Sequence, residues 1–315
     1  MPFKQEDLNR YIKRMRVLNS QLIDIAQDIA TTTKTSSAYY NRVNRNIKQI
    51  YMEMRTISQL FGDDMVPQVY KDKMSEEFRK IKAMKFSPPQ DPGGIIANLK
   101  KPVNVQSINS LMNEFNSTMV IGLDSGQKTL TRLLSVTQQI HLQENQIRKA
   151  INDGFIDKGS TWGSQKELQK QLLAKSLDGK TITIVNKNGK VIRWRADKYA
   201  EMVSRTLLRQ TQSLATINTA QSFGSDLVQV SSHNTTTRIC IPFEGKIFSI
   251  SGSDPQFAPL TDVPPFHPNC LHSISTVFKE VLQDRGIDKY SDFSLGKTEI
   301  HPTRTSHIPI SDREL

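Results

Sequence analysis

Both cysteines of this 315-residue chain, Cys240 and Cys270, and three of its six histidines, His233, His267 and His272, lie between Val228 and His272. Thiolate and imidazole suit zinc, and a closed shell of four such ligands is structural rather than catalytic. Cys240, His267, Cys270 and His272 supply that number, with His233 as a substitute or fifth candidate. A β-hairpin between the cysteines would bring them together at its base. Structural zinc could order a small, loop-rich module that burial alone cannot. In the competing reading the histidines bond backbone in a tight Pro-rich turn, and the cysteines pack as small apolar residues. The chain has no CxxC knuckle, and His272 follows Cys270 by only two residues, a tight chelate.

An open metal site would need a general base beside it. Glu244, four residues beyond Cys240, is the nearest carboxylate in sequence. A metal-dependent DNA nuclease is therefore the enzymatic alternative, although no His-Asn or His-His pair marks a strand-to-helix junction. Ser231, Ser232 and Cys240 are nucleophile types close to His233, but nothing in the spacing assembles a triad. Trp162 and Trp194 read as packing residues. Without an aromatic series beside basic residues, a single-strand nucleic-acid groove is not indicated.

The elements that must position these residues begin with an extended helical region. A hydrophobic share of 37% and an aromatic share of 7% fit elongated helices better than one large core. Leu8, Ile12, Met15, Leu22, Ala26 and Ile29 follow alternating four- and three-residue steps, with the polar Asn19 in the remaining slot. Val43, Ile47, Ile50, Met54, Ile57 and Phe61 repeat the pattern. Residues 1–85 thus read as a coiled-coil-like helical hairpin or arm, with TTTKTSSAYY as its bend and a third helix over Val66–Lys85. SPPQDPGG places a Pro/Gly linker at residues 86–105.

Residues 106–278 read as an α+β domain. Helix resumes near the candidate N-cap Ser107, with Gly122 and Gly126 as weak points. A polar loop, DGFIDKGSTWGS, leads to Ser164 as N-cap of a helix over Gln165–Leu177. Asn188-Gly189 predicts a type I′ β-hairpin within KTITIVNKNGKVIRW. Asp197 is the expected cap of a helix that Gly224 ends. LVQVSS, GKIFSIS and SISTVF read as strands of a small C-terminal, β-hairpin-rich module. Residues 279–315 read as an extended or partly disordered tail. No N-terminal apolar core or long apolar window is present, which predicts a soluble protein made in the cytoplasm with no membrane partner.

The net charge of +11 favours nucleic acid, acidic protein surfaces or anionic lipid as neighbours. Two cysteines argue against a disulfide scaffold.

The helix Tyr199-Ala200-Glu201-Met202-Val203-Ser204-Arg205-Thr206 resembles the Y-A-E-M-x-x-R-T helix of phage minor capsid proteins, a branch of the Mu F-like head-morphogenesis group. Val230–His233, Cys240–Ser249 and Phe266–His272 follow in that family's order and at similar spacing, so the likeness covers roughly residues 140–278. Many relatives carry a further cysteine where this chain has Phe243, which rules out a four-cysteine metal site. The usual Arg between Cys270 and His272 is Leu271. The resemblance implies a structural, non-enzymatic virion protein of a tailed phage. Its expected place is the head interior or portal region, where it would aid assembly and influence DNA packaging or ejection. The implied partners are the portal protein, the major capsid or scaffolding protein, and packaged DNA bound without sequence preference. A free-standing, non-specific DNA-binding protein is the remaining alternative.

Overall fold

The computed structural model describes residues 5–84, 86–152, 169–174, 176–185 and 189–284. The fold is α+β, as expected from the sequence. Four helices open it: α1 (Gln5–Thr31), α2 (Ser37–Lys82), the short α3 (Ile95–Leu99) and α4 (Pro102–Asn152). A hairpin of β1 (Ile182–Val185) and β2 (Val191–Trp194) follows, then α5 (Ala196–Ser222). Three strands, β3 (Leu227–Val230), β4 (Ile247–Ser249) and β5 (Ile274–Val277), and a last helix, α6 (Lys279–Asp284), complete the described chain. Two compact units result. One is built on Glu6–Leu60 and Ser117–Glu201, the other on Phe61–Asn116 and the described residues from Met202 onward.

In the first unit α1 and the start of α2 are antiparallel neighbours. Tyr39 donates to Asp28 at 2.9 Å, Arg14 pairs with Glu53, and Tyr11 meets Ser58 at 2.8 Å. These contacts step symmetrically away from the connecting bend. The expected α1 seam is buried, but Tyr11 and Leu18 are buried beside it. The stripe is therefore wider than a two-helix seam and suits packing against more than one neighbour. On α2 the buried line runs through Val43, Ile47, Tyr51, Met54 and Ser58, whereas Ile50, Ile57 and Phe61 are only half-buried. The reason is hydroxyl pairing. Ser58 Oγ donates to Met54 O at 2.7 Å and meets the Tyr11 hydroxyl, while Tyr51 bonds Thr181 at 3.0 Å. Satisfied in this way, tyrosine and serine enter an apolar face at little cost.

Gly122 and Gly126 do not interrupt α4. They admit aromatic rings: a Cβ at Gly126 would stand 2.6 Å from the Tyr51 hydroxyl, and one at Gly122 would collide with the Tyr199 ring. Tyr199 then donates to Thr118 O at 2.9 Å. Asn19 lies fully buried, and its Oδ1 accepts the Ala196 N–H at the start of α5 at 3.2 Å. Asp197 lies one residue inside α5, taking Arg195 Nε at 3.1 Å, with Arg16 Nε 3.6 Å away. Its charge still favours the helix N-terminus. β1 and β2 pair antiparallel from Ile182↔Trp194 to Val185↔Val191. Asn188, Trp162 and Ser164 lie outside the described residues.

In the second unit the separate helix expected over Val66–Lys85 is the continuation of α2, a 46-residue helix that carries Pro67 inside it. Met65, Val66, Val69, Tyr70, Met74, Phe78 and Ile81 are buried, so packing outweighs the bond that Pro67 removes. The Pro/Gly stretch contains α3, and α4 starts at Pro102, where a missing N–H has no cost. Ser107 sits inside α4, accepting Asn218 Nδ2 at 3.0 Å. That amide also reaches the Tyr70 hydroxyl at 2.5 Å, which itself donates to Asn104 at 2.6 Å. α5 ends at Ser222, and Gly224 follows with a φ of 82°, as its position predicts. β3 is the middle strand of an antiparallel sheet ordered β4-β3-β5. Of the tail, residues 279–284 form α6 and the remainder lies outside the described residues.

Candidate metal centre

β3 holds the site because both partner strands register on it. Val228 pairs with Phe248 of β4 and Thr276 of β5, and Val230 with Ile274. Their inward side chains join Phe243, Phe266, Cys240 and Cys270 in one buried cluster. Cys240 enters on a turn in which its N–H reaches Thr237 O at 2.9 Å and its carbonyl accepts from Phe243 and Glu244. Cys270 enters from the His-Pro-Asn turn, where Asn269 has a φ of 63°. Asparagine is among the few side chains that adopt this left-handed conformation readily. β5 begins two residues beyond His272.

The two cysteines stand 4.0 Å apart. His272 Nδ1 is 3.4 Å from Cys270 Sγ, and one ligand atom from each of Cys240, Cys270 and His272 lies within 4.8 Å of the others. All three residues are buried. Both thiols are free. The Cys240 thiol, donating to Cys270, pushes Cys270 far down against the effect of burial, helped by the backbone amides of His272 and Phe266. That same bond, together with burial, pushes Cys240 up. The direction at Cys270 favours the thiolate, the form that binds metal.

Glu244 brackets the cluster. Its Oε1 is 3.5 Å from His272 Nε2 and accepts the His233 N–H, while the Thr235 N–H approaches its two oxygens at 3.1 and 3.0 Å. Burial opposes the charged form, yet the His233 and Thr235 amides hold the carboxylate below the ordinary glutamate range. Its oxygens are engaged by amides, which fits an anchoring group better than the general base considered from sequence.

The remaining candidates separate. His267 stands outside the cluster and donates Nδ1–H to Pro268 O at 2.7 Å. His233 is exposed, with Nε2 2.8 Å from Ser231 Oγ and its ring centroid 5.1 Å from that of His272 at 85°. Ser231 Oγ also accepts the Ser273 N–H at 3.0 Å. Glu244 meets the His233 backbone rather than its ring, and so does not orient this Ser–His pair as the acid of a triad would. Spacing alone did not reveal a second polar knot. Asp226 accepts Ser251 N–H at 2.8 Å, Ser251 Oγ at 2.9 Å and the Ser249 hydroxyl, tying β4 to the start of β3. The serines of GKIFSIS alternate with apolar residues, which was the available signal.

No helix among the described residues is long and apolar enough to cross a membrane. The family model described as phage minor capsid protein 2 matches residues 164–289, a span that includes the hairpin, α5, the three strands and every residue of the cluster. No curated protein and no solved structure matches the chain. The region that gathers two thiols and an imidazole into a buried cluster is therefore the region in which this chain is similar to phage minor capsid protein 2.

Proposed function

We propose that the chain is a low-copy structural component of a tailed-phage head, seated at the portal and facing the interior. The match of residues 164–289 to phage minor capsid protein 2 carries this reading. Its partners are then the portal protein and the major capsid or scaffolding protein, and it assists assembly, packaging or ejection. The surplus of +11 favours packaged DNA through salt-dependent contacts that do not read sequence. Zinc at Cys240, Cys270 and His272 would act structurally, ordering a small sheet whose strands are three or four residues long.

Affinity capture with purified portal, together with mass spectrometry of DNA-filled heads, tests the reading. Co-purification with the portal and a few copies per head are expected. Absence from heads assembled in its presence would overturn the proposal. Metal-dependent DNA cleavage lost in Glu244→Ala would replace it with the nuclease.

A further inference from the structure

We propose that His233 supplies the fourth ligand of a closed zinc site on Cys240, Cys270 and His272 Nδ1, with Glu244 as the carboxylate that orients His272. The inference rests on the structural-zinc reading above and assigns its coordination shell. In a tetrahedral shell with Zn–S of about 2.3 Å and Zn–N of about 2.0 Å, two sulfurs stand about 3.7 Å apart and a sulfur and nitrogen about 3.5 Å apart. The cysteines are 4.0 Å apart, and Cys270 Sγ is 3.4 Å from His272 Nδ1. Two of the three edges are therefore close to those of such a shell, and the third lies within 4.8 Å.

The other nitrogen of His272 faces Glu244 Oε1 at 3.5 Å. A metal-bound imidazole generally places its second N–H against a carboxylate, which fixes the ring and raises its basicity. Glu244 also holds the backbone at His233 and Thr235, so one side chain links the third ligand to the loop bearing the fourth.

Two imidazoles on one tetrahedral zinc have ring centroids about 5 Å apart. His233 and His272 already stand at 5.1 Å. Rotating the His233 ring about its Cβ–Cγ bond leaves the centroid nearly in place while exchanging the Ser231 hydroxyl for the ion. That rotation would add a fourth ligand to the three already gathered, in keeping with a structural rather than hydrolytic centre. His267, committed to Pro268 O, stays outside.

Metal-free full-length protein titrated with Co(II), then displaced by Zn(II), tests the assignment. Wild type is expected to take one equivalent, with sulfur-to-cobalt charge transfer and intense four-coordinate bands. Glu244→Gln, which can still accept the two amides, should weaken binding about 10–100-fold with an unchanged spectrum. His233→Ala should weaken it at least as much and shift the ligand-field bands as oxygen replaces nitrogen. His267→Ala should match wild type in both. His233 is exposed, so its alanine variant should fold, and circular dichroism of the metal-free forms checks this. If wild type takes up no metal, the zinc reading itself falls. If it binds and His233→Ala keeps both affinity and spectrum, zinc stands and the His233 assignment is overturned.

Discussion

In the unit built on Glu6–Leu60 and Ser117–Glu201, polar groups enter the interior in small, self-contained bonds. Tyr51 finds Thr181, Tyr11 finds Ser58, and Tyr199 finds a carbonyl on α4, each ring seated among apolar residues or against a glycine. Around β3 the opposite holds. Two thiols, an imidazole and a carboxylate share a few ångströms, and each sets the state of the next. Isolated bonds make a helical interior whose parts are replaceable one at a time. A shared cluster makes a module in which one change alters several groups together.

Substitutions can break or sharpen that contrast. The largest loss is expected from Phe266→Ala. Its ring stacks on Phe243 at 4.3 Å and lies 5.9 Å from His272, so truncation removes packing beneath the cluster. Denaturant unfolding should show a loss of about 3–5 kcal/mol. Gly122→Ala should follow with a loss of about 1–3 kcal/mol, because the added methyl meets the Tyr199 ring. A gain of about 1 kcal/mol, the usual helix-propensity benefit, would show that the glycine slot is unimportant. Tyr51→Phe leaves Thr181 without its partner and should cost about 1 kcal/mol in the same measurement.

Acid and alkali should separate the two interiors. Glu244 is held below its ordinary value of 4.5, so its contribution is present above that pH and fades as pH falls through the lower folded value. Tyr51 and Tyr199 are raised above 10.0 by burial, so their contribution is present below that pH and fades as it rises. Unfolding midpoints across pH should therefore lose part of their acid limb in Glu244→Gln and part of their alkaline limb in Tyr51→Phe. Identical profiles would remove the distinction. The smallest effect belongs to Arg14→Ala. Its exposed pair with Glu53 should contribute under about 0.5 kcal/mol, visible as a midpoint nearly unchanged.

How far the sequence could be read depends on which interactions are local. Gly224 after α5 and the three short strands follow from neighbouring residues and formed as read, and the Asn-Gly hairpin pairs as expected but with Val185 opposite Val191, one residue off the register that a two-residue Asn188-Gly189 turn requires. Of the four ligands expected from residue type, Cys240, Cys270 and His272 come together, whereas His267 bonds Pro268 O instead. Tertiary satisfaction decided the rest. Tyr51 and Ser58 look polar until Thr181 and Tyr11 supply their bonds, so the α2 seam was drawn on Ile50 and Ile57. The separate helix expected over Val66–Lys85 is the continuation of α2, because buried residues on both sides of Pro67 carry the helix through. Glu244 is close to Cys240 in sequence, but its orienting position depends on amides from the loop after β3, which no spacing rule contains.

Asn19 and Ala196 give this fold a timetable. The amide at the head of α5 has its acceptor 177 residues upstream, so the ribosome releases the receiving side chain long before the donor exists. Until then the Asn19 carboxamide lacks the donor that it meets in the folded chain. The first helix should consequently stay exchangeable in a nascent chain truncated before residue 196 and become protected only once α5 has emerged. Translation therefore couples the satisfaction of Asn19 in α1 to the emergence of α5.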